Sequence, residues 1–175
     1  LILIEALNAT GETEAALEAA QQAGLRFPQS ATAQMALAQQ LARAGRYQEA
    51  RPVFERVLQL DPGQPEASLG LADALQKAGA HDAAVEAYRV ALNYRSTTLA
   101  ARLGSARSLV SLKRLEQARK MLEEGLAGHA SEPSLRLELS RVYARLGLTD
   151  LAAPGAHLTR GRVTWVTSRC QARSC

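Results

Sequence analysis

The residues that could do chemistry are few and scattered. His81, His129 and His157 could ligate a metal or move a proton, and Cys170 and Cys175 could ligate or attack. Structural zinc sites space their ligands in close pairs, as in C-x2-C with a second such pair or with H-x3-H. His157, Cys170 and Cys175 fit no such pattern. Two cysteines at one end also make no disulfide framework and fix no redox compartment. His81 falls where other segments carry Tyr47 and Leu115, which reads as a packed residue between helices. His129 follows Gly128 and reads as a solvated turn. Glu123 and Glu124 are adjacent carboxylates, but neighbours on a helix point different ways. No phosphate-binding glycine loop, dinucleotide fingerprint, nucleophile elbow or H-E-x-x-H occurs. Nothing sets a nucleophile beside a base. The expectation is a non-catalytic chain with no cofactor and no metal, although a longer parent protein could itself be an enzyme.

If the chain does no chemistry on a substrate, its polar residues must serve recognition or solubility. The chain has 175 residues, 47% hydrophobic and 22% charged, with a mean hydropathy of −0.15. Ala (34) and Leu (27), both strong helix formers, make up about a third of it. Aromatic residues are only 4%, which argues against an all-β fold. No apolar run is long enough for a membrane-spanning helix. The Leu1–Ile4 run is too short for a signal peptide and lacks its charged flank. The net charge of +4 suggests nucleic acid only until it is located. Residues 1–150 hold 17 basic and 17 acidic side chains, and the excess is Arg160, Arg162, Arg169 and Arg173.

The elements that position these residues recur every 34 positions. Gly11, Gly45, Gly79 and Gly147 lie on one grid, with Lys113 in the remaining slot. Ala16, Ala50, Ala84, Ala118 and Ala152 each follow five residues later. Repeats begin at Ala31, Pro65, Leu99 and Pro133, after one truncated at its N-terminus. Within a unit, Leu37 and Leu41 recur at helical spacing, giving a first helix with one apolar face. Gly45 ends it, since Gly takes the left-handed cap conformation cheaply. A second helix is predicted from about Tyr47 to Leu60, with Ala50, Phe54, Val57 and Leu58 inward and Asp61-Pro62 as its stop. Small residues at Ala38, Ala72, Ala106 and Ser140 let helices approach closely. One such pair cannot bury its own apolar face, but stacked copies can.

With its Leu, small, Gly, Tyr, Ala, Phe and Pro slots in register, the segment Ala31–Gln64 resembles a tetratricopeptide repeat (TPR). The resemblance covers about five repeats over residues 1–152. It implies an all-α fold, a right-handed superhelical solenoid of antiparallel helix pairs. Gln34, Ser68, Arg102 and Arg136 replace the family's frequent Trp. Lys113 replaces the turn Gly, and Ser105 stands where neighbouring repeats have Leu.

The resemblance further implies a concave groove, lined by first helices, that takes an extended or helical peptide of a partner protein. Its slots hold Met35, Gln39, Ala42 and Arg43, then Glu66, Leu69, Asp73, Gln76 and Lys77, then Leu103, Arg107 and Val110, then Leu137, Arg141, Ala144 and Arg145. Leu1, Glu5 and Asn8 begin the row. Met35, Leu69, Leu103 and Leu137 form an apolar row, and basic residues gather towards its C-terminal end. An acidic-hydrophobic peptide suits such a lining, with Arg gripping carboxylates. Chaperone-binding members use a clamp of Lys and Asn at fixed slots. Here those slots hold Met35, Leu69, Leu103 and Leu137, and Gln39, Asp73, Ala36 and Gly104, so that mechanism is not expected.

The pattern fails after Asp150. Pro154-Gly155 interrupts the expected last helix, and residues 163–168 are strand-like by propensity. Residues 153–175 are read as an irregular basic tail. A frameshifted or vector-derived end, a linker to a further domain, and a basic arm for nucleic acid or an anionic surface stand as alternatives. The abrupt change in mid-repeat favours the first. An uncapped stack would expose Leu139, Leu146 and Leu151 and invite self-association. The leading function is a protein-interaction scaffold. The alternatives are an accessory segment of a larger enzyme or secretion component and, more distantly, nucleic-acid binding by the tail. The start at Leu1 rather than Met reads as a piece of something longer. Arg over Lys by 18 to 3 suggests a bacterial source, with cytoplasm and periplasm both open.

Overall fold

Every first helix ends in the same turn, and that turn sets the architecture. In the computed structural model the backbone is described for residues 2–128, 131–148, 156–159 and 162–165. The chain divides into two compact units, Leu1–Arg114 and Leu115–Cys175.

Unit 1 contains α1 (Ile2–Thr10), α2 (Thr13–Arg26), α3 (Ala31–Arg43), α4 (Tyr47–Leu60), α5 (Pro65–Lys77), α6 (His81–Ala91) and α7 (Thr98–Ser111). Each helix packs on the next, and α3 also meets α5, and α5 meets α7. The helix bounds follow the 34-residue grid. Ser30 caps α3 by accepting a hydrogen bond from the Ala33 amide at 3.3 Å. Pro65 opens α5, where its missing N–H costs nothing. The connection after α6 departs from the grid. It lacks the Asp-Pro stop, and the buried Thr97 hydroxyl donates to the Ala91 carbonyl at 2.6 Å instead.

The turn itself is a Schellman closure. After α3, the Arg46 amide returns to the Leu41 carbonyl at 2.9 Å, and Gly45 sits at φ 75°. After α5, Ala80 returns to Leu75 at 2.9 Å. After α7, Arg114 returns to Leu109 at the same distance, but the residue at positive φ is Lys113, at 60°. An L side chain there costs about 1–2 kcal/mol that glycine does not. Lys113→Gly is therefore expected to stabilise the protein by about 1 kcal/mol in urea unfolding. An unchanged midpoint would contradict this.

The core of unit 1 is a run of small residues and rings. Ala38, Ala50, Ala72 and Ala84 are fully buried, and Ala106 nearly so. Phe54 and Val57 pack with Leu17, Met35 and Leu41, while Tyr88 packs with Leu75, Ala84 and Ala101. His81 opens α6 and is half-buried, its Nδ1 shielded from solvent. Ser105, in its neighbours' Leu slot, is fully buried.

Unit 2 contains α8 (Leu115–Gly128) packed on α9 (Pro133–Arg145), with Ala118, Leu122, Leu135, Val142 and Tyr143 buried. Gly147 closes the turn after α9 at φ 77°. The Tyr143 hydroxyl donates to Glu123 at 2.8 Å, and Arg119 also pairs with Glu123 at 2.9 Å. Leu139 is only 3% exposed, so it forms no part of an open apolar end, contrary to the sequence reading; Leu146 is half-buried. Two short strands, β1 (Ala156–Thr159) and β2 (Arg162–Trp165), pair antiparallel, with Ala156 opposite Trp165. The second overlaps the strand-like segment read at 163–168. The expectations for Leu1, His129, Leu151, Ala152, Pro154-Gly155, Arg160, Arg169, Cys170, Arg173 and Cys175 fall outside the described residues, as do those for the side chains of His157 and Arg162. No described helix is long and apolar enough to cross a membrane.

Candidate functional site

The candidate face of unit 1 is carried by α3, α5 and α7. Gln39 and Arg43 on α3 are exposed, as are Asp73 and Lys77 on α5 and Arg107 on α7. Leu69, Leu103 and Val110 are half-buried. Met35 is 9% exposed and belongs to the core cluster around Phe54. Gln76 is half-buried and bridges two helices. Its amide donates to the Gly104 carbonyl at 2.7 Å and to Ser108 Oγ at 3.0 Å. In unit 2, Leu137 (53% exposed), Arg141 and Arg145 lie on α9, and Arg141 pairs with Glu138 at 3.2 Å.

Two residues outside the sequence-derived set organise this face. Tyr88 is fully buried, and its hydroxyl donates to Asp73 Oδ1 at 2.5 Å. The ring reaches that far because position 104 has no side chain. A Cβ there would lie 2.2 Å from Tyr88 Cζ and 2.4 Å from its hydroxyl. Gly70 seats Phe54 in the same way, its absent Cβ falling 2.4 Å from Phe54 Cε1. Phenylalanine has no hydroxyl to offer, and Gln39 stands on α3 where Asp73 stands on α5.

Electrostatics follow from this packing. Partial burial holds the Asp73 carboxyl above its ordinary value of 3.8, while the Tyr88 hydroxyl, Lys77 and Arg107 pull it down. Solvent moderates the effect, since the residue as a whole is exposed. Burial, and then the bond to Asp73, push the Tyr88 phenol well above the usual tyrosine range. A carboxyl raised in the folded state binds its proton more tightly there than in the unfolded chain. Its contribution to stability is full below the unfolded value and is lost as pH rises through the folded one. Asp73→Asn should therefore remove a fall in melting temperature that the wild type shows as pH rises through the upper part of the carboxyl range. Parallel melting curves for the two proteins across that window would refute it.

Among the described residues no group of three or more His, Cys, Asp or Glu is placed to hold a metal ion. The arrangement offers oriented polar groups and half-buried leucines, which suits recognition of a chain segment.

Comparison with known proteins agrees with the fold. No curated protein matches the chain. Solved structures do. The fragment described as MamA 41-end from Desulfovibrio magneticus RS-1 is 19% identical, covering 86% of this chain and 85% of its own, with a TM-score of 0.77. A putative kinesin light chain from Podosopora anserina with nearly identical TPR-like repeats is 22% identical, covering 86% of each chain at a TM-score of 0.73. YrrB, described as a TPR protein with an unusual peptide-binding site, is 19% identical, covering 85% of this chain and 77% of its own at a TM-score of 0.68. These likenesses show an all-α solenoid fold of the TPR type. Two sequence models described as tetratricopeptide repeat match the chain, one over residues 41–103 and 77–136 and the other over 3–65. The chain belongs to the tetratricopeptide repeat family.

Proposed function

We propose that the protein is a non-catalytic scaffold that binds a segment of a partner protein on the face of α3, α5 and α7. The observation that carries this reading is the pairing of exposed cations with half-buried leucines. Arg43, Lys77 and Arg107 are exposed on α3, α5 and α7, and Leu69 and Leu103 are half-buried on α5 and α7. Such a face complements a segment with acidic and apolar side chains, because guanidinium groups bind carboxylates with directional, charge-assisted bonds. In unit 2, Leu137, Arg141 and Arg145 on α9 occupy the same repeat slots. The peptide-binding site named for YrrB is consistent with this use of the fold.

The test is fluorescence anisotropy with labelled short peptides that carry Leu anchors, a pair of Glu residues and one variable polar position. The wild-type chain should bind them more weakly as salt rises. Lys77→Glu combined with Arg107→Glu should weaken binding by about tenfold or more, the equivalent of one or two lost charge-assisted bonds. Binding unchanged by the double reversal would place the partner surface elsewhere.

A further inference from the structure

Asp73 is held from behind and open in front. Its side chain lies on the exposed surface of α5, while the tyrosine that anchors it is wholly buried. The Tyr88 hydroxyl reaches one carboxylate oxygen at 2.5 Å, through the space that Gly104 leaves. An ionised carboxylate has about four acceptor positions, and this bond uses one of them. The residue that carries it is exposed. Because Tyr88 already restricts the carboxylate, less side-chain freedom is lost when a ligand binds it.

This acceptor stands among cations. Lys77 and Arg107 are close enough to act on the Asp73 charge. A purely acidic segment laid across Lys77 and Arg107 would bring a carboxylate against Asp73, and like-charge contact is a strong basis for rejection. A segment that places one cation opposite Asp73, with acidic residues on either side, matches the sign of each charge on this face.

We propose that Asp73 is a specificity-determining residue that selects a lysine or arginine within an otherwise acidic-hydrophobic partner segment. The inference rests on the peptide-binding reading above and sharpens it. The partner is a mixed-charge segment whose apolar residues meet Leu69 and Leu103. Its cation makes a charge-assisted bond to a carboxylate that Tyr88 has already oriented.

The experiment uses the full chain and a set of labelled short peptides. Each peptide carries Leu anchors and a pair of Glu residues, with a single position varied among Lys, Arg, Gln and Glu. In the wild type, one position should favour Lys or Arg over Glu by about tenfold or more in Kd. Asp73→Asn should bring that ratio near one while leaving the Glu and Leu preferences in place. Asp73→Lys should invert it. Tyr88→Phe, which frees the carboxylate but keeps its charge, should retain the preference in weakened form. Circular dichroism confirms that each variant is folded. If peptides bind but the Lys-over-Glu ratio is absent, or survives in Asp73→Asn, this inference fails and the scaffold reading stands. If no peptide in the set binds, both fail.

Discussion

Tyr88→Ala is expected to lower the unfolding free energy by about 3–5 kcal/mol, the range for removing a large aromatic from a packed interior. The upper part of the range applies because of what surrounds the ring. It packs with Ala72, Ala84, Ala91 and Ala101, together with Leu75. The alanines have no side chain that can lean into the void, and Leu69, Leu71 and Leu92 at the edge of the cluster fill it only in part, so residual cavity volume sets the cost. Tyr88→Phe separates packing from hydrogen bonding. It keeps the ring, loses only the bond to an exposed carboxylate, and should cost about 1 kcal/mol. Urea unfolding reads both variants. A Tyr88→Ala protein within about 1 kcal/mol of wild type would mean that the neighbouring helices collapse freely onto the gap.

Gly104→Ala should carry the opposite sign from the usual helix substitution. In an unconstrained helix the change stabilises by about 1 kcal/mol. Here the new methyl would lie 2.2 Å from Tyr88 Cζ. The ring has little room to retreat, being fully buried with its hydroxyl bound to Asp73. Overpacking of this kind costs about 1–3 kcal/mol. The decisive comparison is a double-mutant cycle. In a Tyr88→Ala background the clash disappears, and Gly104→Ala should stabilise by up to about 1 kcal/mol. A substitution that destabilises in one background and stabilises in the other isolates the contact. The same sign in both would show that Gly104 is not the seat of the ring.

Much of the fold could be read from spacing. The grid of Gly11, Gly45 and Gly79 marks turns at positive φ, and Lys113 falls in the same conformation as its slot requires. A shared backbone geometry is legible because only it explains a glycine at fixed intervals. The second helix runs from Tyr47 to Leu60 as its apolar pattern indicates. The short α6 was not legible, because Thr97 ends that segment by a side-chain bond rather than by a proline. The candidate face was only partly legible. Slot numbering treats Met35, Leu69 and Leu103 alike, yet Met35 joins the core while the two leucines are half-buried. Slot numbering also gives Gln76 to the ligand, whereas its amide ties α5 to α7. The Tyr88–Asp73 bond crosses between helices and leaves no trace in periodicity. A signal for the ring seats did exist. Phe54 and Tyr88 are each followed 16 residues later by Gly, and the smaller Ala20 is followed there by Ala36. Ring volume at one slot is matched by Gly in the next repeat, and the rule ends at Leu122, which is followed 16 residues later by Glu138.

That complementarity says how such a chain can be inherited in pieces. Each ring sits on the second helix of one repeat and its seat on the first helix of the next. Phe54 belongs with Gly70, and Tyr88 with Gly104. A recombination break at the loop before α5 or α7 would separate a ring from its seat and join it to whatever residue the incoming repeat carries. A break in the tight turn after α5, between Gly70 and Tyr88, keeps both pairs whole. The unit that can be duplicated or exchanged without loss is therefore offset by half a period from the sequence repeat. It runs from a second helix to the first helix that follows.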